Sequence, residues 1–458
     1  MPAPAPTRKF VVHVVGVLCL ITAPLWLYLL LFPEGYGYLM GIFIFLAALV
    51  VDLGLILHVS RHDGELRQIM TVGLFLKMLG AAVYLAMIMK LYNGAGDMFA
   101  YYQWGSKFAT NIREYGEIGV LKGELGFSAN GEANGTTSIS VLTGLIFAIT
   151  GPTLTGAIVI FSSVAYWGSY LFWKAFKVAF PDSNVYLAAM LLFFMPSFIF
   201  WASALGKDAL IFFCIALVAY GLCQVIYAAR VGALFHITLG IVGAAFIRPH
   251  IAGILGLSLC TVFLLGKNRA GLPGVVARVL LVPVLIAGSY YAINNAKAQL
   301  GVSDAQDAEK VASSWSKSTQ YGGSSFQSGS FFARVVLSPT LPFRPFPWEV
   351  GSVQTALASA EGMFLLFFFW RNRKSLKQSL LRWRSDPFTA FILFFSLETS
   401  AALASAFSNF GLLARQRVMF TPLLILLIPA CPYVKRQLAT QRERISLGAL
   451  PARRGLSV

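Results

Sequence analysis

Charge is scarce in this chain and acid is scarcer still: charged residues make up 12% of 458 positions, with 19 acidic side chains against 36 basic ones. Soluble domains carry about a quarter of their residues charged, so a water-soluble fold is excluded. Cysteine is sparse too. Cys19, Cys214, Cys223, Cys260 and Cys431 sit in or beside apolar runs without a CxxC pair, which argues against disulfides and against a cysteine metal site. The sequence also lacks a Walker motif, a GxGxxG after a strand, an HExxH, and any polar stretch large enough for a cytosolic nucleotide-binding domain. Energy or an activated substrate must then arrive through the membrane or from outside it. Neither a short internal repeat nor an inverted pair of broken helices, as transporters use, is evident.

What is present is apolar: 57% hydrophobic residues and a mean hydropathy of +0.71. These values place the chain among all-α polytopic membrane proteins, a single integral-membrane domain over 1–458. Apolar windows of about twenty residues predict twelve transmembrane helices near 10–32, 37–58, 69–91, 154–173, 184–204, 208–229, 232–247, 250–266, 275–294, 351–370, 387–407 and 418–433. The first, with its basic start and no convincing cleavage site, reads as a retained span. The short run "SISVLTGLIFAIT" at 138–150 reads as a re-entrant or interfacial helix.

With this count and both termini cytoplasmic, the cytoplasmic segments collect most of the basic residues, including "WRNRKSLKQSLLRWR" and the basic tail at 434–458. That is the positive-inside pattern, and it accounts for the net charge of +17 without nucleic acid. Two larger loops, 92–137 and 295–350, then fall outside.

The polar clusters fall on that same outer side. "GAGDMFAYYQWG" offers Asp97 as a general base or metal-holding carboxylate, beside Tyr101 and Tyr102, whose rings could stack on sugars. "PSFIFWASALGKDAL" sets Lys207 and Asp208 at a helix start, a ready anion site, after a kink at Pro196. "AFIRPHIAG" presents Arg248 and His250; the guanidinium fork suits phosphate oxygens. "SPTLPFRPFPWEV" holds Arg344 and Glu349 in a proline-pinned stretch, and "RQR" keeps Arg415 and Arg417 outside, where lipid headgroups or a polyprenyl phosphate could satisfy them. Each cluster also has a plain structural reading: caps, interfacial aromatics or rigid turns. Within the spans, Asp52, Lys77, Glu361 and Glu398 are costly in lipid. Asp52 and Lys77 share a depth on neighbouring helices, so a structural ion pair is expected.

The "GD...YY" motif, "PSFIFWASALGKDAL", "RPH", "FRPFPWE" and "RQR" together resemble bacterial multi-span proteins of polysaccharide synthesis, similar in layout to the GT-C superfamily of membrane glycosyltransferases. The resemblance implies a bacterial cytoplasmic (inner) membrane location, a polyprenyl-linked sugar donor, a glycan or lipid-linked acceptor, and contact with membrane lipids. Asp97 takes the place of the catalytic base, and Lys207, Arg248 and Arg344 that of the donor-phosphate grip. A divalent metal is possible, although Asp97 lacks the acidic neighbour of a DxD motif. Two alternatives stand beside this expectation: a polysaccharide polymerase or ligase, and a lipid-linked glycan transporter.

Overall fold

The computed structural model describes residues 37–91, 96–116, 135–265, 336–381, 383–406 and 409–430, with a few isolated positions between them. The predicted span at 10–32, most of that at 275–294, parts of the loops at 92–137 and 295–350 and the basic tail lie outside the described residues. In chain order the helices are α1 (Tyr38–Val59), α2 (Gly64–Leu91), α3 (Asp97–Tyr115), α4 (Gly135–Thr150), α5 (Leu154–Ala179), α6 (Val185–Phe194), α7 (Pro196–Phe200) and α8 (Lys207–Tyr227). They continue with α9 (Leu234–Ile247), α10 (Pro249–Leu265), α11 (Val353–Arg371), α12 (Arg373–Leu381), α13 (Pro387–Ala406), α14 (Phe410–Gln416) and α15 (Thr421–Ile425). The described residues contain no strand, so the all-α expectation holds.

The twelve-span count does not. Six helices are long and apolar enough to cross a membrane: α1, α2, α5, α8, α11 and α13. Two further runs are bent pairs, Val185–Phe194 with Pro196–Ser203 at 52° and Phe410–Met419 with Thr421–Ala430 at 63°, bringing the total among the described residues to at most eight. The runs predicted at 232–247 and 250–266 form the shorter helices α9 and α10. At 1.5 Å per residue, the 14 residues of α9 reach only about two thirds of a ~30 Å hydrocarbon core. Hydropathy windows register apolar length and not straightness, and Pro196, Pro249 and Pro422 each start a new helix inside or beside such a window.

The segment predicted as a loop from residue 92 begins with a helix, α3. Its buried residues Met98, Tyr101, Gly105, Phe108 and Ala109 fall at helical spacing on one side, and that side packs on α4. The partial helix predicted at 138–150 is α4, whose 16 residues are too few to cross.

The centre of the bundle is α8, buried almost throughout, whereas α1 and α11 are buried on one side only. Helices α5 and α9 flank it. Gly240 makes the α8–α9 contact possible, since a Cβ there would stand 2.6 Å from the Cys214 carbonyl oxygen. Close approach through small residues is how helices gain packing where no water drives them together.

The expected Asp52–Lys77 pair is absent. Asp52 accepts from Ser163 Oγ at 2.7 Å and Trp167 Nε1 at 2.8 Å, both on α5. Lys77 instead donates to the Phe198 carbonyl at 2.7 Å. Equal depth was a sound inference, but rotation about each helix axis decides which neighbour a side chain meets, and hydropathy carries no information about rotation.

The break at residues 195–206 is where these bonds matter. Met195 is extended and Pro196 opens α7, so the short helix needs partners at both ends. Glu361 on α11 accepts from Ser197 N at 2.8 Å and Ser197 Oγ at 2.6 Å, a carboxylate at the helix N-terminus. Lys77 takes the Phe198 carbonyl, and Ser162 Oγ takes that of Ser203 at 2.6 Å. The second break is held to the same carboxylate: Arg417, buried, donates to Glu361 Oε1 at 3.2 Å, to the Ala358 carbonyl at 2.9 Å and to the Arg344 carbonyl at 3.0 Å. Gly80 permits α2 to lie this close, since a Cβ there would come within 2.2 Å of the Ile199 carbonyl oxygen.

Glu361→Ala is expected to destabilise the protein by about 3–5 kcal/mol, because it strands Arg417 as a buried charge. Glu361→Gln, still able to accept from Ser197, should lose less. Thermal unfolding of the detergent-solubilised protein checks the order of the two; equal midpoints for Glu361→Ala and wild type would contradict the role of this carboxylate.

Candidate functional site

One end of the bundle gathers the residues that the sequence singled out. Helices α3, α8 and α10 all begin there, at Asp97, Lys207 and Pro249. The N-caps of α3 and α8 are Gly96 and Gly206, and neither has a side-chain cap. A glycine leaves the first turn open to an external acceptor, and each helix start carries a partial positive charge.

Asp208 organises the cluster. Its Oδ1 accepts from Arg248 Nη2 at 2.8 Å and its Oδ2 from Arg415 Nε. The carboxylate is almost fully buried, so both guanidinium contacts are strongly favoured over water. Arg248 also donates to Gln416 Oε1 and lies 3.4 Å from Met419 Sδ. Arg415 extends outward, with Nη1 3.7 Å from Asp97 Oδ2.

Asp97 differs from Asp208 in access: its side chain is 64% exposed against 4%. The two carboxylates therefore divide into a buried organiser and an open group a substrate could reach. Lys207 lies within electrostatic reach of Arg248, Asp97, Asp208 and Arg415, and His250, exposed on the neighbouring turn, is close to Arg248 and Lys207. Two guanidinium groups and the Lys207 amine thus face two carboxylates.

The tyrosines are placed differently from the sequence expectation. Tyr101 is wholly buried, so its ring presents no face on which a sugar could stack. Tyr102 is half-buried and packs edge-on against Phe147, ring centroids 5.5 Å apart, in the α3–α4 contact. Burial, reinforced by the Asp97 carboxylate, raises the Tyr101 pKa well above its ordinary value and keeps the phenol protonated.

Arg344, Glu349 and Arg417 form a neighbouring cluster. Arg344 pairs with Glu349, whose other oxygen accepts from Phe346 N at 2.8 Å. The Arg344 guanidinium also stands 5.5 Å from the Phe410 ring centroid and 5.7 Å from that of Phe346. Arg417, expected to meet lipid headgroups or a polyprenyl phosphate, is instead the buried clamp on Glu361 and on the Arg344 carbonyl. The two arginines of "RQR" therefore serve different clusters: Arg415 lies in the last turn of α14 and Arg417 just beyond its end, which turns them to different neighbours.

Sequence reading missed Gln416, which partners Arg248, and Ser197, which Glu361 holds. Gln416 lay in plain view within "RQR", but charge drew attention to its neighbours. Among the described residues no three His, Cys, Asp or Glu side chains come together as a metal site.

At the opposite end of the bundle the cations lie on aromatic rings. Lys174 stands 5.0 Å from the Tyr220 ring centroid, Lys177 4.9 Å from Trp173, Arg373 5.0 Å from Trp370 and Arg384 5.1 Å from Trp383. Such basic and aromatic belts sit at headgroup depth.

Fold and site together define an all-α membrane protein with a charged, helix-start cluster at one end. No protein family matches this chain, and no curated protein or solved structure is similar enough to count as a relative.

Asp208→Ala, which leaves two guanidinium groups without their shared buried carboxylate, should cost about 3–5 kcal/mol. Asp97→Asn touches only an exposed pair and should change stability by less than about 1 kcal/mol. Unfolding midpoints of the two purified variants in the same detergent test the contrast; a loss at Asp97 as large as that at Asp208 would show that both are structural.

Proposed function

We propose that this protein is a membrane glycosyltransferase moving a sugar from a polyprenyl-phosphate donor to a glycan or lipid-linked acceptor. The observation that carries the reading is the pairing of an open carboxylate, Asp97, with a cation-rich group of helix starts through Arg415 at 3.7 Å. In this reading Lys207 and the helix starts hold the donor phosphate, with Arg248 and Arg415 adding positive field while they remain tied to Asp208. Asp97 takes the proton of the acceptor hydroxyl as its oxygen bonds to the anomeric carbon, and the phosphate departs with the electrons of the broken bond. A preorganised donor to the leaving group is worth roughly 3 kcal/mol, and a general base about 10²–10⁴-fold in rate. Arg344 acts from the adjoining cluster, where its carbonyl is held by Arg417.

The basic belt at the other end suits a cytoplasmic face, which supports reading the cluster as lying at the outer face of a bacterial cytoplasmic membrane. This sidedness agrees with a lipid-linked donor, since that compartment holds no nucleotide sugars.

A second reading, a lipid-linked glycan transporter, gains from the two bent helix pairs, because transporters build their sites from broken helices. It asks nothing of Asp97 as a base.

Mass spectrometry of lipid-linked and finished surface glycans in cells lacking the protein separates these readings. Loss of one sugar, restored by wild type and not by Asp97→Asn, is the expected result. Complete repeats that accumulate unpolymerised would point to a polymerase or ligase, and complete lipid-linked glycans trapped inside to a transporter; full rescue by Asp97→Asn would remove the general-base mechanism.

A further inference from the structure

The proposed chemistry leaves the hydroxyl of Tyr101 unused. It is buried without a hydrogen-bond partner among the described residues. A buried donor left unmade costs about 1–3 kcal/mol, and native structures seldom keep one without reason. Adding a partner among its neighbours is not difficult in principle, since the ring lies in the field of Asp97, Arg415, Asp208 and Arg248. Its position is specific: Cε2, bonded to the carbon that bears the hydroxyl, is 3.9 Å from where a Cβ on Gly206 would sit, and Arg415 Nη2 is 3.9 Å from the same point. The phenol therefore stands beside the uncapped start of α8, next to a guanidinium.

We infer that the Tyr101 hydroxyl, the start of α8 and Arg415 form an oxyanion subsite in which the phenol donates a hydrogen bond to one non-bridging phosphate oxygen, in the sugar-linked diester of the donor or the monoester released from it. The inference rests on the proposed reading of this cluster as a phosphate site and adds a binding group to it. Three properties suit the phenol to this task. It is a donor that brings no further charge to a cluster already rich in cations. It stays protonated, because burial and Asp97 hold its pKa high. Its ring is fixed in the α3 stripe that packs on α4, so little freedom is lost when the anion binds. The sugar-stacking role expected of this tyrosine is replaced by a polar one, since only the hydroxyl remains to be used.

The test compares full-length wild type with Tyr101→Phe in detergent, by calorimetric titration with farnesyl phosphate, inorganic phosphate and farnesol, alongside thermal unfolding. Wild type is expected to bind farnesyl phosphate and Tyr101→Phe to bind it about ten- to a hundredfold more weakly, as for loss of one hydrogen bond to a charged acceptor. The unfolding midpoint of Tyr101→Phe should equal or exceed that of wild type, because the variant deletes an unpaired buried group. A parallel weakening for inorganic phosphate supports the subsite and identifies free phosphate as a ligand; weakening for farnesyl phosphate alone supports it with a lipid source. Farnesol binding should be the same in both proteins, and equal weakening for farnesol would overturn the inference in favour of a packing role. Unchanged farnesyl phosphate affinity in Tyr101→Phe overturns the role of the hydroxyl and leaves the transferase reading standing. Failure of wild type to bind either phosphate overturns the subsite, whereas phosphate binding without sugar transfer in cells keeps the subsite and removes the transferase.

Discussion

A helix broken inside an apolar bundle exposes backbone groups that no water can satisfy, and the described residues contain two such breaks. Both are held by one carboxylate. Glu361 receives the backbone and side chain of Ser197 from one break and the guanidinium of Arg417 from the other. The residues that follow the first break, Gly206 to Asp208, and those just before the second, Arg415 and Gln416, are the ones that meet in the charged cluster. The cluster therefore inherits its geometry from a contact at Ser197, Glu361 and Arg417 that lies outside it.

Charge is distributed according to what each position can support. Two sets of charges are matched: Arg417 with Glu361, and Arg248 and Arg415 with Asp208. Removing either member would leave the other in a low-dielectric interior, which is the costly case. Lys77 is satisfied by a carbonyl freed at the helix break, so its ammonium compensates backbone rather than another side chain. Asp97 is the open carboxylate of the cluster, and an open carboxylate held near a fixed guanidinium has both access and orientation, the two conditions for acting on a bound hydroxyl.

Much of the site was legible. Asp97, Lys207, Asp208, Arg248 and Arg415 were each marked by being polar beside apolar runs, and the expectation that separate hairpins would deliver them to one end matches their meeting here. Details of partnership were not legible. Asp52 and Lys77 share depth but face different neighbours; Tyr101 and Tyr102 are adjacent in sequence, yet one is wholly buried and the other only half-buried against Phe147. A rotation of about 100° per residue separates them, and only packing fixes its origin. The α3 stripe could have been read from the spacing of Met98, Tyr101, Gly105, Phe108 and Ala109, a helical signal obscured by treating the polar stretch as loop.

The sequence by itself determined that this is a helical membrane protein, because scarcity of charge and long apolar runs leave a chain no other way to satisfy its backbone in lipid. It also determined which residues are expensive enough to require partners. Tertiary structure alone decided how many runs are straight, which charges neutralise one another, and which tyrosine keeps an unused hydroxyl. These depend on contacts between residues far apart in the chain, such as Ser197 with Glu361 and Asp208 with Arg415, and local composition does not encode the rotation and approach of one helix on another.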